Sequence, residues 1–127
     1  MMHPETNAGL LSRGLTDEEL ARTICPDDPV ELGVVRAVAA LMDAGIYTFE
    51  SCEGGEAHPF PRPTVRFHGG SGTGWVALGA CLDLGLPVYD LCRTWDFEYR
   101  GEREPCGPTW RISFWPYRDP GANGETR

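Results

Sequence analysis

Residues 28–50 read DPVELGVVRAVAALMDAGIYTFE, and this stretch decides the fold. Three residues form a helix start signal: the N-cap Asp28, Pro29 at the first helical position, and Glu31 three residues after the cap. The apolar side chains that follow recur at helical spacing; they are Leu32, Val35, Val38, Ala39, Leu41 and Met42. Because Gly45 ends this pattern, the sequence predicts a helix over residues 29–44.

Segments on both sides of this helix complete the predicted set of elements. Thr16 and Glu19 form a capping box that begins a short helix, which stops before Pro26. Strand patterns cover residues 46–50, 64–68, 91–100 and 109–115, and the last two are predicted to form a hairpin. A further helix is predicted from residue 73 to residue 84.

This order of elements predicts a two-layer α+β domain. Without the short first helix it reads αββαββ, which is a circular permutation of the ferredoxin-like βαββαβ arrangement. Two helices would cover one face of a four-stranded antiparallel sheet and leave the other face open. We expect a single domain over residues 15–117, between disordered tails at 1–14 and 118–127.

Side chains divide between the predicted core and the predicted surface by their position in these patterns. The tryptophans at inward positions, expected in the core, are Trp75, Trp95 and Trp110. The aromatic residues outside the apolar stripes, expected on the surface, are Phe60, Trp115 and Tyr117. The alternation along the strands assigns to the open sheet face Thr64, Arg66, His68, Asp96, Glu98, Arg111 and Ser113.

Composition excludes several classes of function. The chain of 127 residues has a formal net charge of −8 and no lysine, so we do not expect general DNA or RNA binding, which depends on cationic side chains. Its five cysteines include no CxxC pair, which favours reduced thiols in the cytoplasm. No segment has the pattern of an export signal or the apolar length of a membrane span. We therefore expect a cytoplasmic protein that does not bind membranes.

The chemically reactive side chains concentrate in residues 49–70, FESCEGGEAHPFPRPTVRFHGG. They are Glu50, Cys52, Glu53, Glu56, His58 and His68, and they lie beside the glycine pairs at 54–55 and 69–70. A loop between two strands is a common location for functional residues, because the strands hold its ends while its side chains stay accessible.

Residues 45–67 resemble a signature of small uncharacterised bacterial and phage proteins. The signature reads G-I-x-T-x-x-S-C-E-G-G, then a histidine shortly after, then P-x-V-x-F. The matching residues are Gly45, Ile46, Thr48, Ser51, Cys52, Glu53, Gly54, Gly55, His58, Pro63, Val65 and Phe67. The resemblance implies a regulatory role in a bacterium, a phage or another mobile element, and it brings no established activity with it.

Two enzymatic interpretations of this loop share the same residues. As a nucleophile, the Cys52 thiol would transfer its proton to His58 or His68, and the amides of Gly54 and Gly55 would form an oxyanion hole. The carboxylates nearby disfavour a thiolate at this position. As zinc ligands, Cys52, His58 and His68 would act with Glu53 or Glu56, whose charge then favours the bound cation. Either case gives a small cysteine- or zinc-dependent enzyme.

The interpretation that the sequence favours is binding without chemistry. It describes a small acidic binding or regulatory protein whose 50–70 loop and open sheet face recognise a small anionic ligand or a protein partner. Amides in the glycine-rich turns and the guanidinium groups of Arg66 and Arg111 suit an anion. The residues of this predicted site are Glu50, Ser51, Cys52, Glu53, Gly54, Gly55, Arg66, His68 and Arg111.

Overall fold

The computed structural model describes residues 9–99 and 103–117, with the side chains of all of these except 96–99 and 103–106. Its helices are α1 (Asp17–Ile24), α2 (Val35–Asp43) and α3 (Ser71–Asp83), and a short 3₁₀ turn, Leu11–Arg13, precedes them. Its strands are β1 (Thr48–Cys52), β2 (Thr64–Phe67), β3 (Val88–Tyr99) and β4 (Arg103–Phe114). None of the described helices is both long enough and apolar enough to cross a membrane.

The strands form one antiparallel sheet in the order β1-β2-β4-β3. Side chains from all three helices and from one sheet face meet in a single core. Its largest fully buried members in the elements are Leu20, Ile24, Val35, Val38, Leu41, Met42, Val65, Phe67, Ile112 and Phe114. The predicted two-layer α+β class is confirmed: α2 precedes the β1–β2 pair and α3 separates it from the β3–β4 hairpin.

Helix α1 begins at the capping box that the sequence predicts. Thr16 Oγ1 accepts a hydrogen bond from the Glu19 N–H at 3.1 Å, and the Glu19 carboxylate accepts one from the Thr16 N–H at 2.9 Å. The bond from the Thr16 backbone N–H is the main reason that the pKa of Glu19 lies below its usual value.

Structured chain begins before the predicted domain start at residue 15. Leu10 is fully buried, and its N–H donates to the Asp43 carboxylate at 2.7 Å, beside a similar bond from Leu11 at 3.0 Å. These contacts attach residues 10–13 to the C-terminal end of α2, so part of the predicted tail belongs to the domain. The rest of the predicted tails, 1–8 and 118–127, lies outside the described residues.

The predicted start of α2 is wrong by six residues. The helix begins at Val35 rather than at Pro29, and the segment before it runs along the end of β1. Two bonds hold this segment there: Gly33 N–H donates to Glu53 Oε1 at 3.0 Å, and Glu53 N–H donates to Glu31 Oε1 at 2.8 Å. These long-range bonds override the cap signal at residues 28–31, and sequence periodicity does not reveal such bonds.

Helix α3 buries small residues and exposes three of its large ones, Trp75, Val76 and Leu82, while Leu78 packs against the core. The buried positions are Gly74, Ala77 and Cys81, and a Cβ on Gly74 would lie only 2.6 Å from the Trp110 ring. Because the helix packs this closely, Trp75 has no room inside and is 69% exposed. The prediction that Trp75 lies in the core is therefore wrong.

The β3–β4 hairpin is longer than predicted and exposes one more tryptophan. Its strands pair as far as Tyr99 and Arg103, with two shifts in register, and the pairing includes residues predicted to form a connecting loop. Trp95 lies in solvent rather than in the core, at 57% exposure, whereas Trp110 is half-buried and stacks on Phe67. The shift in strand register between Thr94 and Asp96 breaks the simple alternation on which the Trp95 prediction depended.

The three aromatic residues predicted on the surface do not behave alike. Trp115 is exposed, as predicted, and Phe60 is half-buried. Tyr117 instead packs edge-on against Phe114, and burial raises the pKa of its hydroxyl. Tyr117 is thus half-buried like Phe60 and packs against the core, so neither of these two side chains is as exposed as predicted.

Candidate functional site

Cys52 is the last residue of β1 and is buried at the edge of the sheet. Its Sγ accepts a hydrogen bond from the Gly54 N–H at 3.4 Å and lies 3.6 Å from His58 Nδ1. A backbone N–H directed at sulfur stabilises negative charge there, whether on a free thiolate or on a metal-bound one. The structure thus brings together two of the residues that the sequence singles out.

The loop between Cys52 and His58 is folded tightly by its backbone. Gly54 has φ +84°, and a Cβ at this position would lie 2.4 Å from the Arg62 carbonyl carbon. Two further bonds close the loop: Gly55 N–H donates to the Pro61 carbonyl, and His58 N–H donates to the Gly55 carbonyl, both at 3.2 Å. Only glycine fits at Gly54, since both the left-handed φ and the close approach exclude a side chain.

Ala57, immediately before His58, also adopts a left-handed conformation, with φ +67°. For a residue with a Cβ, this conformation is less stable than the right-handed one by about 1–2 kcal/mol. Such strain occurs most often where the surrounding structure fixes a functional side chain. Here it lies in the turn that directs the His58 imidazole back toward Cys52.

Glu31 is the third member of the site, and it comes from the segment that precedes α2. Its Oε2 lies 3.9 Å from His58 Nδ1. Its Oε1 accepts the Glu53 N–H bond described above, so one carboxylate oxygen is anchored and the other faces the imidazole. A backbone N–H that orients a ligand in this way is typical of metal centres.

Glu31, Cys52 and His58 place their ligand atoms within 4.8 Å of one another. In tetrahedral zinc coordination, bonds of about 2.3 Å to sulfur and about 2.0–2.1 Å to nitrogen separate these two atoms by about 3.5–3.6 Å. The 3.6 Å between Cys52 Sγ and His58 Nδ1 has this length. Glu31 Oε2 is about 0.5 Å farther from Nδ1 than a zinc-bound oxygen would be, a gap that a small rotation of its exposed side chain closes.

The same geometry does not suit a cysteine–histidine–carboxylate relay. In such a relay the nucleophile and the carboxylate contact different ring nitrogens, so that a proton passes through the imidazole. Here the Cys52 sulfur and the Glu31 carboxylate both approach Nδ1. Three donors that converge on one point are the arrangement of a cation site rather than of a proton relay.

A cleft of about 510 Å³ opens beside these three residues. This volume lies within the range of small-molecule sites. Its walls are formed by the end of α1, the segment before α2, β1 and the His58 turn. The residues that contribute to it are Ile24, Cys25, Asp28, Pro29, Val30, Glu31, Val38, Phe49, Glu50, Ser51, Cys52, His58 and Pro59. Among these described residues there is no arginine, so the cleft favours a neutral or cationic occupant over an anion.

His68, which the sequence grouped with Cys52 and His58, lies elsewhere. Its ring is exposed and stacks on Phe49, with 4.4 Å between the centroids. It lines a second hollow of about 580 Å³, between the start of β1 and the start of α3. Glu53 and Glu56 were the proposed carboxylate ligands. Glu56 is exposed, and the Glu53 carboxylate accepts a hydrogen bond from the Gly33 N–H.

The open sheet face carries the arginines of the predicted anion site, and both have carboxylate neighbours. Arg66 forms an ion pair with Glu50 at 2.9 Å and also donates to Thr109 Oγ1 at 3.2 Å. Arg111 lies 3.9 Å from the Asp90 carboxylate and donates to Cys92 Sγ at 3.4 Å. An anion at this face would compete with these carboxylates, and the anion-binding role of the face stays a prediction.

Sequence reasoning missed Glu31 as a site residue. Its position three residues after Asp28 fits a helix cap so well that the cap explained it completely. It lies 21 residues before Cys52 in the chain, and no short motif joins the two. Cys52 and His58 were found because they share one loop, in which His58 follows Cys52 by six positions.

No protein-family model matches the chain, and neither do the curated proteins or the solved structures compared with it. Its function is therefore inferred from the chemistry of its own residues.

Proposed function

We propose that this chain is a small zinc-binding protein whose ligands are Cys52, His58 and Glu31. The observation that carries the proposal is the convergence of one sulfur, one imidazole nitrogen and one carboxylate oxygen within 4.8 Å. A thiolate and an imidazole exclude magnesium and calcium, which prefer oxygen ligands. Zinc accepts all three donor types in one tetrahedral site.

Charge supports the same proposal. When a metal binds, the coordinating thiol loses its proton, so Cys52 and Glu31 would together present two negative charges to the ion. A zinc ion compensates their two negative charges. The N–H groups of Gly54 and Glu53, directed at Sγ and at Glu31 Oε1, then act as the outer contacts that orient the ligands.

With three ligands from the residues that the structure describes, a bound zinc ion would keep a fourth position for a water molecule or a ligand, as in catalytic rather than structural zinc sites. The cleft beside Cys52 and His58 is the space in which such a ligand would lie. Zinc in this position polarises a carbonyl group or lowers the pKa of a bound water. The proposal thus corresponds to the zinc-dependent alternative of the sequence, with Glu31 in place of His68.

The test is a zinc titration of metal-free protein, made without a histidine tag, in competition with a chromophoric chelator. We expect one zinc ion per chain and a loss of affinity of about 100-fold or more in Cys52→Ser and in His58→Ala. Matched controls exist for both variants: Cys92→Ser removes a half-buried thiol from the open face, and His68→Ala removes the other imidazole of the loop.

Both control variants should bind zinc like the unmodified chain. If the unmodified chain binds no zinc, or if Cys52→Ser and Cys92→Ser bind it equally well, the proposal fails. Circular dichroism of each metal-free variant shows whether it is folded, so that a loss of binding is not confused with a loss of structure.

A further inference from the structure

Helix α3 has an unusual distribution of side chains for a helix on the surface of a small domain. Its sequence, SGTGWVALGACLD, contains one charged residue, Asp83. Its inner face is made of small residues, and its outer face exposes Trp75, Val76 and Leu82, each by more than half. A helix that is apolar on all sides is normally covered on all sides.

The outer face alternates large and small residues at a fixed spacing. Trp75 and Leu82 are seven residues apart, and so are Gly72 and Gly79. A Cβ on either of these glycines would meet no atom within 4 Å, so both face open space. The face therefore has two projecting side chains, Trp75 and Leu82, and two depressions, at Gly72 and Gly79. The members of each pair lie about two helical turns apart.

This pattern is self-complementary when a second copy of α3 crosses in the antiparallel direction. With Ala77 as the midpoint of the helix, such a crossing places Trp75 of one copy opposite Gly79 of the other. The same crossing places Leu82 opposite Gly72. Each large side chain then meets a glycine, which allows the two helix axes to approach closely.

Charge is complementary in the same arrangement. Asp83 lies in the last turn of its own helix, where the negative end of the helix dipole disfavours a carboxylate. In the antiparallel pair it lies beside the first turn of the other helix. That turn has Gly70 as N-cap, without a side-chain cap and without an acidic residue. Pairing thus moves each carboxylate from an unfavourable helix end to a favourable one.

The hollow near the N-terminal end of α3 continues this surface. It is lined by Tyr47 and Val76, which are exposed, and by Gly72 and Thr73. It measures about 580 Å³ and lies where the Leu82 side chain of the second copy would enter. The apolar surface that pairing covers therefore extends beyond the two helices.

We propose that α3 is a homodimer interface, in which the Trp75–Leu82 face packs against the same face of a second chain around a twofold axis. Stable dimers bury roughly 800 Å² per partner, whereas this interface would consist of one helix of 13 residues and the hollow beside it. We therefore expect reversible association, with a dissociation constant on the order of 1–100 µM.

Sedimentation velocity over a concentration series tests this proposal. The unmodified chain, with a monomer mass of 14.0 kDa, should shift toward twice that mass as its concentration rises through the micromolar range. Gly79→Leu fills the depression that receives Trp75, and because leucine is a better helix former than glycine, the monomer should fold at least as well. It should weaken association by about 10-fold or more.

Trp115→Ala is the matched control, because it removes an exposed tryptophan that lies beyond β4 and outside this face. It should associate like the unmodified chain. A chain that stays monomeric at several hundred micromolar overturns the proposal, and so does a dimer that Gly79→Leu leaves unchanged. Neither result depends on zinc, since α3 contributes none of the three proposed ligands.

Discussion

Two regions of this domain collect acidic side chains, and they compensate the charge in different ways. On the open sheet face, each described carboxylate has an arginine beside it: Glu50 pairs with Arg66, and Asp90 lies near Arg111. At the edge of β1, Glu31 approaches a thiol and an imidazole instead. In the first region opposite charges lie side by side within the chain, whereas the second gathers the three donors of the proposed zinc site.

Because of this difference, substitutions in the two regions should affect different properties: the stability of the fold in one and zinc affinity in the other. Substitutions on the open face break ion pairs that exist in the metal-free chain, so they should change the free energy of unfolding. Substitutions of the three edge residues remove ligands, so they should change zinc affinity more than they change the stability of the metal-free chain. The predictions below test this separation, beginning with the largest expected effect.

Gly54→Ala should be the most damaging single methyl addition. It forces a Cβ to within 2.4 Å of backbone at a residue with φ +84°, and we expect it to lower the free energy of unfolding by about 3 kcal/mol or more. Gly70→Ala is the control, because a Cβ there would meet no atom within 4 Å. Urea unfolding of both variants makes the measurement, and equal midpoints would show that the loop is not packed as described.

Arg66→Met should affect stability and leave zinc binding unchanged. It keeps an apolar side chain against Phe49 but removes the partner of Glu50 in a partly buried pair, at a cost of about 1–3 kcal/mol. Glu31→Gln should do the reverse: it can still accept the Glu53 N–H, but it loses its charge, and zinc affinity should fall about 10-fold or more.

Urea unfolding and zinc competition on the same two variants measure both effects. The separation of the two regions is wrong if Arg66→Met weakens zinc binding as much as Glu31→Gln does. It is also wrong if Glu31→Gln destabilises the metal-free chain as much as Arg66→Met does.

Cys81 provides a reference thiol in the core, on α3, which contributes no residue to either region. Burial raises its pKa from 9.0 to about 12. The folded chain therefore keeps this proton more tightly than the unfolded chain does. The resulting stability is fully present below pH 9 and is lost as the pH rises from 9 toward 12.

This single thiol should cost about 1 kcal/mol of unfolding free energy by pH 10. Tyr117, whose pKa burial also raises, adds a loss in the same direction at higher pH. Cys81→Ala should make the decline between pH 8 and pH 10 shallower, as urea midpoints at several pH values would show. An unchanged slope in Cys81→Ala would mean that the thiol is not the group that titrates.

Ala57→Gly should have the smallest effect, and it should be stabilising. Glycine accepts the left-handed conformation of this position without strain, and the gain is reduced by its greater freedom in the unfolded chain, which leaves about 0.5 kcal/mol. Ala80→Gly, inside α3, should instead destabilise by about 1 kcal/mol. Thermal unfolding of the two variants should therefore give shifts of opposite sign.

The fold could be predicted from the sequence wherever local signals and long-range packing agree. The capping box of Thr16 and Glu19 and the alternation in β2 were both sufficient, because each is stabilised by contacts within its own segment or with the core. The start of α2 could not be predicted, because Glu31 and Gly33 bond to Glu53, which is 20 or more residues away.

Helix α3 shows a second reason for failure. Periodicity identifies a buried face only when one side of a helix is more apolar than the others, and α3 is apolar on every side. Its orientation is decided by the close approach of Gly74 to Trp110, which requires the tertiary structure. The exposed position of Trp75 follows from that contact.

Two of the three proposed zinc ligands could be predicted from the sequence, and the third could not, for a similar reason. Cys52 and His58 share a loop whose glycines predict a tight turn, so their proximity follows from local sequence. His68 appeared equivalent to His58 in type and spacing, but it lies past the end of β2, against Phe49. Glu31 enters the site through the tertiary packing of the segment before α2 onto β1.

Cobalt(II) absorption tests the zinc site most directly, because cobalt replaces zinc in such sites and its spectrum reports both geometry and thiolate ligation. With one equivalent of cobalt, the metal-free chain should show the intense visible bands of a tetrahedral site and a thiolate charge-transfer band. Cys52→Ser should lose the charge-transfer band, whereas Cys92→Ser should keep it. A weak, six-coordinate spectrum in the unmodified chain, or a charge-transfer band that persists in Cys52→Ser, would contradict the assignment of Cys52, His58 and Glu31 as a metal centre.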